Sequence, residues 1–215
     1  MSKNTIINLA IILIFFGTAL CFYQVMPETM ASHWDARGQV NGYMPKFWSL
    51  FLIPLIALVI FFLFLVVPKI DPLKNDVKNF RKHLGNFSVV ILIFFFYLFL
   101  LTILWNLGYK FNLSQFLAPS FTLLFFYCGI FIERIKRNWF AGIRTPWTLS
   151  SDRVWDKTHK LGGKLFKAAG LIALIGFVFP DQAIFLVIVP AVLAAAFLFV
   201  YSYVEYRKEI GNQND

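Results

Sequence analysis

Charge is scarce in this sequence, and it is missing where an ion-coupled machine would need it. Only 14% of the 215 residues are Asp, Glu, Lys or Arg, and neither these nor His fall in the middle of any long apolar run. Ionisable groups inside the membrane mark proton relays and ion pathways, so a pump or proton-driven transporter loses its usual support. No H-E-x-x-H, G-x-S-x-G or phosphate-binding loop occurs either, and the expectation is a protein without catalytic residues or cofactor. Cysteine is limited to Cys21 and Cys128, both within apolar runs. They read as small buried hydrophobes rather than a disulfide framework. No internal repeat or low-complexity segment is present, and the short connections leave no room for a separate soluble domain.

What is abundant is apolar surface. Hydrophobic residues make up 59% of the chain, more than a water-soluble fold of this length can hide. The expected fold class is therefore an all-α polytopic membrane helix bundle with six transmembrane helices. The first run, Ile6 to Tyr23, exceeds a usual signal-peptide core and lacks a good cleavage site, so it reads as an uncleaved span. A second run covers Phe47 to Val67 with Pro54 inside it, closed by Pro68 and Pro72. The third covers Phe87 to Asn106 and the fourth Phe116 to Ile132. The stretch from Leu165 to Val204 is too long for one span and is split by Pro180, Asp181 and Gln182 into a hairpin of spans five and six.

Orientation follows from the Lys and Arg residues, which concentrate on the cytoplasmic side. Lys3, five residues from Lys69 to Lys82, nine from Arg134 to Lys167, and Arg207 with Lys208 fall on one side of the six-span arrangement. Arg37, Lys46 and Lys110 fall on the other, a split of seventeen to three. Both termini are thus expected inside, in a multi-pass protein whose net charge of +9 meets lipid headgroups rather than nucleic acid. The chain divides into a two-span hairpin with an outer loop, 1–70, and a four-span region, 71–215, with a basic cytoplasmic loop at 133–164.

Two loops carry most of the remaining information. The outer one, Pro27 to Lys46, has Asn41-Gly42 as turn chemistry. Trp34, Tyr43 and Trp48 in and beside it suit an aromatic belt at the headgroups, or His33, Trp34 and Asp35 form a recognition surface. His33 is its only His and no Cys accompanies it, which argues against a metal site. In the inner loop, Thr145-Pro146 forces extended backbone before the proline, and Ser150-Ser151-Asp152 begins a helix. Val154, Trp155, Thr158, Leu161, Gly162 and Leu165 recur at helical spacing, so an interfacial cytoplasmic helix is expected before the fifth span. It serves either as a surface anchor or as a docking platform for a lipid, peptide or cytoplasmic protein. His159, three residues after Asp156, reads as a solvated ion pair rather than a catalytic dyad.

These loops also carry a resemblance. Asn138-Trp139-Phe140-Ala141-Gly142-Ile143-Arg144-Thr145-Pro146-Trp147-Thr148-Leu149, with Trp155, Thr158, His159 and Gly162 beyond it, closely resembles the signature of the SdpI family of bacterial membrane immunity proteins. The outer loop, through His33, Trp34, Asp35, Gly38, Gly42, Tyr43 and Lys46, is similar to a short N-terminal membrane domain often found in that family. It departs at Ala31, where a proline is common. The resemblance implies a bacterial cell-membrane protein that protects against a secreted, membrane-active peptide toxin. In the family's best-known member it further implies capture of a cytoplasmic repressor at the membrane. The alternative, from another class, is a small-molecule or peptide transporter or channel.

Overall fold

The computed structural model describes residues 2–70 and 77–211, the side chains of 77–80 aside, and it is mostly helical. Helix α1 (Lys3–Tyr23) leads to strands β1 (Thr29–Trp34) and β2 (Val40–Pro45), then α2 (Lys46–Ile70) and α3 (Val77–Asn106). Helix α4 (Leu113–Arg134), the short α5 (Pro146–Ser150), α6 (Asp152–Ile175) and α7 (Ala183–Gly211) complete the chain, with a 3-10 turn at Pro180–Gln182. Among the described residues five helices, α1, α2, α3, α4 and α7, are long and apolar enough to cross a membrane.

Local chemistry sets several helix starts. The Ser2 hydroxyl accepts from the Thr5 amide and caps α1, Asn112 does the same for α4 through Gln115, and Ser151 caps α6 through Val154. Pro54, Pro68, Pro119 and Pro190 all lie inside helices. Pro68 therefore does not close the second span, because α2 continues to Ile70. Pro72 and Lys74 lie outside the described residues.

The long helices alternate in direction. Asn4 donates to Asn86 (2.8 Å) and Phe15 packs edge-on to Phe96 (5.0 Å), so α1 and α3 run parallel. Tyr97 donates to the Phe116 carbonyl while Phe87 stacks on Phe131 (4.4 Å), so α4 returns antiparallel to α3. Helix α6 then runs antiparallel to α4 along its length: Lys167 pairs with Glu133 (2.8 Å) at one end, and Gln115 donates to the Phe177 carbonyl (2.8 Å) at the other. Small residues allow this close approach. A Cβ on Gly163 would overlap Glu133, one on Gly129 would overlap the Gly163 carbonyl, and one on Gly170 would meet the Thr122 carbonyl.

The bundle is mostly helical as expected, and the outer loop adds an antiparallel β-hairpin with Ala31 opposite Tyr43 and His33 opposite Gly42. The helix expected to lie in the interface and run into span five is the first half of α6, 24 residues long, and its face at Val154, Trp155, Thr158 and Gly162, expected against headgroups, is buried in protein. Two packing regions result. One, among α1, α2, α3 and the hairpin, is built from Phe15, Phe61, Leu92, Phe99 and Met30. The other joins α4, α6 and α7 around Trp155, Phe131 and Ile132 and, further along, Ala118, Ala173 and Val187.

Candidate functional site

The hairpin closes one end of the bundle and is fixed by side chains from the helices beneath it. Asn106, at the end of α3, acts as a short extra strand: it accepts from the Ala31 amide (2.8 Å) and donates to the Ala31 carbonyl (3.0 Å). Asn112 donates to the Arg37 carbonyl (3.1 Å) and Ser114 to that of Ala36 (3.3 Å), which docks the turn on the start of α4. Asp35 builds that turn, its carboxylate accepting from the amides of Arg37 and Gln39, both at 2.9 Å. Gly38 completes it at φ +74° against Asn112, where a side chain would not fit. The turn thus lies at 35–38, and Asn41-Gly42 sits within β2 instead. Gly42 is small because the Cβ of His33 passes 2.9 Å from where its own would be.

The remaining outer residues divide between bracing and exposure. Lys46 pairs with Glu28 (2.7 Å) and lies over the Tyr23 ring. Trp34 meets Trp105 edge-on, 5.8 Å between ring centres. Its indole N–H lines a cleft of about 270 Å³ and finds no acceptor among the described residues. His33, hydrogen-bonded to Asn41 at 2.5 Å, and Tyr43, 64% exposed, face outward. Of the sequence-predicted outer residues, Asp35, Gly38, Gly42 and Lys46 are framework.

At the opposite end the inner motif folds upon itself. Asn138, 3% exposed, satisfies its whole amide: the oxygen accepts from the Phe140 (2.9 Å) and Ala141 (2.7 Å) amides, and the nitrogen donates to the Lys136 and Ala141 carbonyls. Thr145 and Thr148 form a reciprocal capping box that starts α5, with Pro146 as its first residue. The Thr148 hydroxyl also donates to the Ile143 carbonyl (2.7 Å), and Thr145 meets Ser202 of α7 at 3.0 Å. Trp147 packs on Phe199 and Tyr203 of the same helix.

His159 is the hub of this end. It is 2% exposed and stacks on Trp155, with ring centres 3.8 Å apart. Nδ1 lies 2.8 Å from the Trp155 carbonyl and must donate, while Nε2 accepts from the Ile143 amide at 3.0 Å. One neutral tautomer satisfies both bonds, and its lone pair is consumed. Burial pushes the imidazole down to about 4, against smaller opposing effects of the Trp155 carbonyl and Asp156. The solvated pair with Asp156 does not form, because Asp156 pairs with Lys136 instead (3.3 Å). Gly142, at φ +106°, leaves room for this ring, and Gly162 leaves room for Ile143, Ile132 and Leu198. Thr158 is fully buried, its hydroxyl without a partner among the described residues.

Arg144 stands apart as the exposed cation of the motif. It donates to the Trp139 carbonyl (2.6 Å), whereas Asp152 takes Arg137 (2.8 Å). The residues missed in the sequence are those that bolt the loop to α7: Ser151 donates to Glu209 (2.6 Å), and Lys157 pairs with Glu205, which Lys208 of α7 also holds. Only the position of Glu205 at the polar end of an apolar run hints at this from sequence.

Comparison with known proteins agrees with the motifs. Residues 134–202 match the SdpI/YfhL protein family, and residues 10–58 match a domain of unknown function (DUF1648). The Immunity protein SdpI of Bacillus subtilis (strain 168) is 27% identical over 212 residues, covering 98% of this chain and 100% of that protein. No solved structure matches the chain. The resemblance to the SdpI family is thus borne out over nearly the full length, and the apolar helices make this a multi-pass cell-membrane protein.

Proposed function

We propose that this protein shields a bacterium from a secreted, membrane-active peptide toxin, which it meets at the β-hairpin, and that its basic inner end signals by recruiting a cytoplasmic repressor. The observation that carries the reading is the end-to-end relationship to an immunity protein. The geometry suits a binding role. His33 and Tyr43 are presented on a braced hairpin, while the one buried histidine spends both ring nitrogens internally. Deleting the gene and challenging cells with the cognate toxin tests it: protection lost on deletion and restored by the gene is expected, and unchanged survival ends the idea.

The matching topology has six crossings with both termini in the cytoplasm. Its support is that α6, too polar in its first half to qualify by composition, still passes from the level of Glu133 to that of Gln115 beside α4. The seventeen basic residues then share one side. A membrane-impermeant thiol reagent applied to intact cells should label Gln39→Cys, exposed on the outer turn, and spare Ser151→Cys. Outside labelling of Ser151→Cys contradicts this arrangement.

A further inference from the structure

At the end of the bundle away from the hairpin, the start of α1, the end of α2 and the start of α3 enclose a cleft of about 600 Å³. Lys3, Lys69, Arg81 and Lys82 line it, and among the described residues none of its lining is acidic. Its deeper wall is apolar, with Phe61 and Phe64 of α2. At its base Asn8, 3% exposed, donates its amide N–H to the Ser88 hydroxyl (2.7 Å), which spends its own proton on the Gly85 carbonyl (2.7 Å). That direction of donation fixes the Asn8 amide, so the atom left buried without a partner among the described residues is its carbonyl oxygen, an acceptor awaiting a donor.

We propose that this cleft binds an anionic glycerophospholipid whose headgroup carries a hydroxyl. The phosphate lies among the four cations, where charge-assisted bonds are strongest. A headgroup hydroxyl donates to the Asn8 oxygen, and an acyl chain follows Phe61 and Phe64. The four lining cations select the anion, the orphan acceptor selects a donor-bearing headgroup, and the apolar wall selects a lipid over a free phosphate. The site belongs to the inner leaflet under the six-crossing topology, but binding itself does not depend on protection or signalling.

The test is native mass spectrometry of the full-length protein in neutral detergent, titrated with lipids. One phosphatidylglycerol should be retained in preference to phosphatidylcholine, and phosphatidylmethanol, of equal charge but without a hydroxyl, should bind more weakly. Lys69→Gln/Arg81→Gln should weaken retention about thirtyfold, at roughly fivefold per charge. Lys160→Gln/Lys164→Gln removes as much charge from α6 and should leave retention unchanged. If the first pair fails to fold, Lys3→Gln/Lys82→Gln replaces it with the same expectation. Equal retention of phosphatidylcholine, equal weakening by the α6 pair, parity of phosphatidylmethanol, or displacement by millimolar glycerol 3-phosphate each overturns the proposal.

Discussion

The two ends of this bundle use polar side chains in opposite ways. At the hairpin end, helix residues Asn106, Asn112 and Ser114 grip the backbone of the loop, leaving His33 and Tyr43 outward. At the other end the loop grips itself: Asn138, Thr145, Thr148 and His159 are all buried and bonded within the loop, α6 and α7. The long inner motif is therefore chiefly the record of a folded structure, and the shorter outer one frames an exposed surface. A motif's length and a motif's availability to a partner are separate properties.

If the inner motif is architecture, its loss should empty the membrane of folded protein. Asn138→Ala leaves two amides and two carbonyls of a tight turn without partners, at about 1–3 kcal/mol for each that stays buried, so about 3 kcal/mol or more in sum. Gly142→Ala adds a Cβ that overlaps the His159 ring at a backbone angle L-residues avoid. Both should sharply lower membrane abundance and the melting temperature in detergent. Wild-type abundance of both would move this loop from framework to surface.

The histidine hub sharpens the same comparison through pH. The folded chain keeps His159 neutral down to about pH 4, whereas an unfolded chain takes up the proton near 6.5. Stability is then fully present above about pH 6.5 and is lost as pH falls towards 4, by up to about 3 kcal/mol. Melting temperatures from pH 7.5 to 4.5 should show this decline, and in His159→Gln the histidine-dependent part should vanish.

Arg144 should yield the smallest structural effect within the inner motif. It has one internal acceptor, the Trp139 carbonyl, so Arg144→Lys should cost about 1 kcal/mol or less. Membrane abundance should stay near normal while protection or repressor recruitment falls, because a lysine lacks the planar fork of guanidinium. Lys157→Arg, which keeps a cation beside Glu205, should be neutral in all three measurements. Full activity of Arg144→Lys would show that its geometry is immaterial.

Much of this was legible in the sequence because span length and hydropathy are local properties. Four of the five expected long runs coincide with α1, α2, α3 and α4, and Pro180-Asp181-Gln182 does mark the turn before α7. The hairpin was not legible, since its strands are only six residues each and are held by Asn106 and Asn112, about 75 positions away. Nor was the burial of His159, because the amide that occupies its ring nitrogen comes from Ile143, 16 residues earlier. The periodic face of α6 was readable, but not that α4 and α7, rather than lipid, cover it. Glycines were recognised as motif members, while the packing reasons at Gly129, Gly163 and Gly170 emerge only when helices are paired.

The most direct test of the account is survival under toxin, measured per molecule present in the membrane, for His33→Ala/Tyr43→Ala beside Asn138→Ala. The exposed pair lies outside both packed regions, so its loss should leave abundance at the wild-type level and abolish most protection. Asn138→Ala should instead lose protection only in proportion to its lost abundance. A His33→Ala/Tyr43→Ala protein that is abundant and fully protective would contradict the hairpin as the recognition surface.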